Sequence, residues 1–198
     1  MGVNRVSLGV QSFDDAILKR LGRIHDGANA RAAIEAVLSA GFDNFNVDLM
    51  HGLPGQSLRQ GREDLIVAMA YSPPHVSHYQ LTIEPNTAYA ADPPELPVDD
   101  VLDEIQESCH ALLWQQGWQQ YEISAWARPE RESRHNLNYW HYGDYLGIGA
   151  GAHGKITQLS NGQVYRYARV KHPKQYLSAF EKKHWNSDSL AGRIVLTS

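Results

Sequence analysis

At 198 residues the chain is long enough to bury the core of one domain, roughly 70% of its unfolded surface. Its 42% apolar and 20% charged residues and its net charge of −4 fit a water-soluble globular protein. They exclude a polybasic nucleic-acid binder, and no run approaches the roughly 20 apolar residues of a membrane span. The N-terminus has no basic, apolar, small-residue succession of a signal peptide, and one cysteine excludes an internal disulfide or a Cys-rich metal site. The sequence reads as cytoplasmic.

Arg5 to Gln11 reads as a strand in which Val6, Leu8 and Val10 alternate with smaller residues. Asp14 caps a short helix that places Ile17, Leu18 and Leu21 on one face and closes at Gly22. A second helix is expected from about Ala30 to Ala40, ending at Gly41. The stretch Phe45 to Gln56 is a strand that stops at Gly52 and turns on Pro54-Gly55. Ser57, with Gln60 three residues on, opens a helix as a capping box that runs to about Ala70. A strand from Val76 to Ile83 follows, then a proline-rich loop from Glu84 to Pro97.

Asp99 or Asp100 is expected to cap a helix whose stripe is Leu102, Ile105, Cys109, Leu112 and Leu113, with Gly117 at its end. Cys109 on that stripe reads as a core thiol. Tyr121 to Ala127 reads as a strand. An aromatic loop, a Gly-rich strand near Tyr145 to His153, a strand near Val164 to Tyr167 and a helix from Pro173 complete the chain. Tyr165 to His184 carries six Lys/Arg against one Glu, leaving the rest of the chain at about −9. That segment reads as a solvated basic face, since no binding motif accompanies it.

Alternating strands and helices with short connections predict a parallel sheet with helices packed outside it. Too few strands are present for eight, so the expected fold class is α/β, a partial (β/α) TIM-like barrel represented by its later strands. Extra β/α elements are expected at the C-terminal end. The chain divides at about 1–97 for the barrel and 98–198 for the extension, within a single domain. Active sites gather at the carboxyl ends of such strands, which puts Gln11, Asp48 to His51, and Thr82 to Glu84 on one rim. Asp48 stands between Val47 and Leu49, where a carboxylate needs either a structural partner or a ligand.

Three features then align. Gly9-Val10-Gln11-Ser12-Phe13 ends the first strand, Arg23 follows in Leu-Gly-Arg-Ile-His, and Asp48 opens Asp-Leu-Met-His-Gly-Leu-Pro-Gly-Gln. Together these resemble the radical S-adenosylmethionine (SAM) enzymes of the oxygen-independent coproporphyrinogen III oxidase group. The resemblance covers essentially the whole chain. It implies that Gln11, Arg23 and Asp48 bind SAM; a guanidinium suits the methionine carboxylate, and a carboxylate suits ribose hydroxyls.

Ser133-Arg-His-Asn-Leu-Asn-Tyr-Trp-His-Tyr-Gly-Asp-Tyr-Leu-Gly-Ile-Gly-Ala-Gly-Ala-His153 is similar to the heme-chaperone branch, HemW. The likeness implies a heme site at His135, Asn136, Tyr139 and Trp140, with heme as cargo. Physically, His135 offers an imidazole ligand, and Tyr139 and Trp140 offer flat faces to a macrocycle. A loop packed down by its own aromatics is the structural alternative. The implied partners are apo-hemoproteins of the respiratory chain; no nucleic acid is expected, and any membrane contact would be peripheral. The runner-up function is the oxidase itself, removing propionate carboxyls through a 5′-deoxyadenosyl radical. A barrel hydrolase with rim acids and histidines is a third class.

Gly147-x-Gly149-x-Gly151 lacks the βαβ context of a dinucleotide loop, and close packing of a barrel strand explains it instead. The ten histidines include no His-x-x-x-His pair bracketing an acid on a helix, so no metal site is expected. The resemblance also implies a [4Fe–4S] cluster on Cys-x-x-x-Cys-x-x-Cys, which this sequence does not contain. The chain is therefore expected to be an internal fragment, inactive by itself in radical cleavage of SAM.

Overall fold

The computed structural model describes residues 2–181 and 195–196. They fall into two compact units, Met1–Ser133 and Arg134–Ser198.

The first unit begins with strand β1 (Val6–Gln11), followed by helices α1 (Asp15–Arg20) and α2 (Gly27–Ser39). Strand β2 (Phe45–His51), helix α3 (Leu58–Ala70) and strand β3 (His75–Gln80) come next. The short α4 (Ala88–Ala91) and the long α5 (Asp99–Gln115) lead into strands β4 (Gln119–Gln120) and β5 (Ala125–Ala127). The sheet order is β1-β2-β3-β5-β4, with β1, β2 and β3 parallel and β5 antiparallel to both neighbours.

The parallel trio matches the expected barrel segment, but the sheet is not parallel throughout. The stretch expected as one strand from Tyr121 to Ala127 is interrupted at Tyr121–Ser124, and β4 and β5 form a hairpin there. A hairpin joined by so short a connection must be antiparallel, so β5, the member beside β3, runs against the trio.

Local sequence sets the helix starts. The Asp14 carboxylate accepts from the amides of Ala16 and Ile17 at 2.9 and 3.0 Å, as expected. Ser57 and Gln60 form the expected capping box on α3. Helix α2 starts at Gly27, three residues before the expected position, because Asp26 and Asn29 make a second capping box. Neither Asp99 nor Asp100 caps α5. Val98 is its N-cap and makes no side-chain bond, while both acids lie in the first turn, where the helix dipole favours negative charge.

One face of the sheet is apolar. Val10, Phe45, Val47, Leu49, Val76 and Trp126 pack there with Ile34 of α2, Leu65 of α3, and Ile105, Cys109 and Leu113 of α5. Cys109 is fully buried, as the stripe predicts, and burial pushes its thiol up to about 12. The opposite face of the strands carries Ser7, Gly9, Asn46, Asp48, Ser77 and Tyr79, consistent with strand alternation and with the register that pairs Gly9 with Asp48 and Asp48 with Ser77.

The second unit contains helix α6 (Arg134–Trp140), strands β6 (His153–Gln158) and β7 (Gln163–Ala168), helix α7 (Pro173–Glu181) and strand β8 (Val195–Leu196). Its sheet, β6-β7-β8, is antiparallel throughout. Two expectations change here. Residues expected as an aromatic loop form α6, and Tyr145 to His153 is not a barrel strand. It pairs only at its ends, through a bridge between Tyr145 and Lys155 and through Gly151 to His153 beside Ala168 to Val170. Gly149 between them has a φ of 107°, which side chains other than glycine's rarely adopt.

Candidate functional site

The polar face of the first sheet is a connected network. Asn46 Nδ2 donates to Asp48 Oδ1 and to Ser7 Oγ, each at 2.7 Å. Ser7 Oγ donates in turn to Asp48 Oδ2 at 3.2 Å. Asn46 Oδ1 accepts from Ser77 Oγ and from His75 Nδ1, 2.6 Å away. With that proton on Nδ1, His75 Nε2 accepts from the Tyr121 hydroxyl at 2.7 Å. Burial, and then the Arg5 charge, hold His75 down at about 3, so it is neutral.

Asp48 therefore has partners, but they are neutral donors and it remains half-buried. Its charge is not consumed by an ion pair among the described residues. That arrangement orients the carboxylate and leaves it able to accept from a ligand.

Gln11 ends β1 at φ of 69° and is 7% exposed. Its Oε1 accepts from the Tyr79 hydroxyl at 2.7 Å. Tyr79 is held above its ordinary range by burial and then by the Asp48 charge, while Arg23 acts in the opposite direction. Tyr79 is thus the residue that ties together the three positions expected to bind SAM. Gln11 touches it, and Asp48 and Arg23 both reach it electrostatically. Arg23 itself is exposed in the connection between α1 and α2.

Not every expected rim residue faces this side. His51 is buried against His78, ring centroids 4.5 Å apart, and His110 lies 5.9 Å from His78. Burial lowers all three, His51 to about 4. No group of three or more His, Cys, Asp or Glu suited to a metal ion exists among the described residues. A cleft of about 590 Å³ bounded by Arg20, Pro54, Gln56, Pro94 and Leu96 includes none of Gln11, Arg23 and Asp48.

In the second unit, α6 places His135 and Tyr139 one turn apart. Their rings meet edge-on with centroids 4.9 Å apart, and Tyr139 packs on Tyr145 at 4.7 Å. Tyr139 and Trp140 are 47% and 55% exposed, and Leu146 and Ile148 nearby in sequence are exposed too. Asn136 is half-buried and engaged. Lys155 is buried under Tyr142, donating to the Tyr142 carbonyl at 2.6 Å and to Asp144 Oδ1 at 3.1 Å. Bonds from Thr157, then the Lys155 charge, hold Asp144 below the usual carboxylate range. His184, in the expected basic face, lies outside the described residues, as does part of that segment.

Sequence reasoning did not select Tyr79, Asn46, His75 or Tyr145. Asn46 was legible in principle, since an amide two residues before Asp48 shares its face of the strand. Tyr79 carries no such local signal.

A run of parallel β/α units with polar groups on the inner strand face defines a segment of an α/β barrel. Residues 1–65 match the family model described as "Radical SAM superfamily". It is similar to the heme chaperone HemW of Haemophilus influenzae, 53% identical over 176 residues, covering 89% of this chain and 46% of that protein. The HemW of Escherichia coli K12 is 52% identical over the same shares, and that of Bacillus subtilis 39% identical over 84% of this chain and 46% of the relative. The chain thus spans about half the length of the curated relatives it matches. Its fold resembles that of the E. coli coproporphyrinogen III oxidase HemN, described as a radical SAM enzyme. The TM-score is 0.71 at 24% identity, covering 91% of this chain and 44% of that one.

Proposed function

We propose that the protein acts as a heme chaperone of the HemW type, binding heme and passing it to respiratory apo-hemoproteins. The observation that carries this reading is α6, where the His135 and Tyr139 rings meet edge-on one turn apart beside the half-exposed Trp140. Exposed aromatic rings beside an imidazole suit a flat, iron-bearing macrocycle, which gains both burial and an axial ligand. The likeness to relatives named heme chaperone supports it over the oxidase reading, for which the likeness to HemN speaks only at the level of fold.

The superfamily name implies SAM, and the residues of the inner face suit it. Asp48, oriented by Asn46 and Ser7, is free to accept from ribose hydroxyls, Gln11 offers an amide, and Arg23 offers a guanidinium for a carboxylate. When bound, SAM supplies a sulfonium centre; the chain's contribution is to hold its polar ends. The [4Fe–4S] cluster is a different case. The single cysteine, Cys109, is buried in the helical core with its thiol pushed up to about 12, so the residues of this chain do not fit a cluster. No helix among the described residues is long and apolar enough to cross a membrane.

The test is a titration of the chain with heme, followed by the Soret band. Saturable binding that weakens in His135→Ala supports the reading. Binding that is absent, or that is indifferent to His135, Tyr139 and Trp140 alike, removes it.

A further inference from the structure

Gln11 reaches the inner sheet face from an unfavourable backbone. A φ of 69° is strained for a non-glycine residue, and the register of β1 against β2 shifts between Gly9 and Gln11. Such strain persists where surrounding contacts over-determine it. Here the contact is remote in sequence: the Tyr79 hydroxyl donates to Gln11 Oε1 at 2.7 Å, across 68 positions.

The other end of the amide lies over Gly9. A methyl group built on Gly9 would stand 2.9 Å from Gln11 Nε2, so the missing side chain of Gly9 makes room for the amide nitrogen. Gly9 is paired with Asp48. A free carboxamide presents either an acceptor or a donor after a half-turn about its last bond. This one has its oxygen committed to Tyr79.

The geometry points to Tyr79 as a positioning residue that locks the Gln11 amide, so that the end of β1 offers a ligand N–H donors only. The ligand atom met there is then a hydrogen-bond acceptor, a carboxylate or hydroxyl oxygen. This rests on the reading of Gln11 as a ligand contact. The hydroxyl keeps the proton that it donates to Gln11 Oε1, because burial and the Asp48 charge both oppose its ionisation. The ring of Tyr79 packs with Ile17, Met50, Leu53 and Leu81, so Tyr79→Phe keeps the packing and removes only the lock.

Two measurements on the whole chain decide it. The first is the side-chain NH2 resonance pair of Gln11 in a ¹⁵N-labelled sample, assigned by its loss in Gln11→Ala. It should sit away from free-amide values in the wild type and move to them in Tyr79→Phe, with the melting temperature little changed. A pair that does not move overturns the proposal. The second is titration with S-adenosylhomocysteine. Tyr79→Phe should weaken binding about five- to tenfold, the worth of one hydrogen bond, and should add nothing in a Gln11→Ala background. Additive losses in the double variant also overturn it. If the wild type does not bind the nucleoside at all, the cofactor reading of Gln11 fails, while the amide resonance still decides the role of Tyr79.

Discussion

The side-chain amide of Asn46 holds the carboxylate of Asp48, two residues along the same strand, at 2.7 Å. Because strand side chains alternate, both groups project on one face, and Asn46 also engages Ser7, His75 and Ser77 there. One residue thus organises every polar partner of the carboxylate. Asn46→Ala should destabilise the chain by roughly 2–4 kcal/mol, since it leaves the buried His75 Nδ1 proton without its acceptor and takes a donor from Asp48. Chemical denaturation checks this. A loss under about 0.5 kcal/mol would show that the network is ornamental.

Asp48→Ala and Arg23→Ala separate binding from folding. Arg23 is exposed, so its removal should shift stability by no more than about 0.5 kcal/mol. Asp48→Ala should cost somewhat more, because Ser7 and Asn46 each lose an acceptor. In a protein able to bind SAM, each change should weaken that binding by roughly 1.5–3 kcal/mol, the range for a charged hydrogen bond. Calorimetric titration reads both quantities. Unchanged affinity in both variants would make these residues structural.

Much of the first unit was legible because its signals are local. The Ser57–Gln60 box, the stripe of α5 and the buried Cys109 are each specified within a few residues. The antiparallel β5 was not, because strand direction depends on which neighbour a hairpin docks beside. The α6 segment carries a loop-like signal because Asn136, Asn138, Tyr139 and Trp140 are indifferent helix formers. At the candidate site, the carboxylate and amide could be picked by type and position. Tyr79 could not, since a tyrosine in a strand reads as core, and its partner Gln11 lies 68 positions away.

Stability should fall on acidification in a window set by buried imidazoles. Burial lowers His51 to about 4 and His75 to about 3, and His78 well below its ordinary value of 6.5. The unfolded chain therefore binds more protons below about pH 6.5, so stability is full above that value and is lost towards pH 4. Asp64 opposes this. Burial raises it to about 6, so the folded state gains stability as it protonates. With four lowered imidazoles, His110 among them, against one raised carboxyl, the net loss between pH 7 and pH 5 should be roughly 2–4 kcal/mol, read as a drop in melting temperature. A flat profile would contradict the burial of these rings in solution.

Cys109 should be inert in the native chain. Its thiol is fully buried with its ionisation pushed up to about 12, and the thiolate is the reactive form. A thiol reagent should label it only on unfolding. Anaerobic reconstitution of this chain with iron and sulfide should leave no [4Fe–4S] absorbance. A stoichiometric cluster on the monomer would refute the reading of Cys109 as core.

The heme prediction turns on which side chain ligates iron. His135 lies on α6 with its ring against Tyr139, which packs in turn on Tyr145. His141 and His153 are exposed and close in sequence, so each is a competing ligand. His135→Ala should shift or weaken the Soret band, with partial retention through the other two. Tyr139→Ala should weaken binding by removing a ring face while leaving the band position unchanged, because it alters packing and not ligation. His172→Ala serves as the control, being an exposed histidine ahead of α7, and should change neither affinity nor spectrum. Loss in His172→Ala comparable to that in His135→Ala would mean that heme associates with surface imidazoles generally. The ordered pair His135–Tyr139 would then carry no specific role.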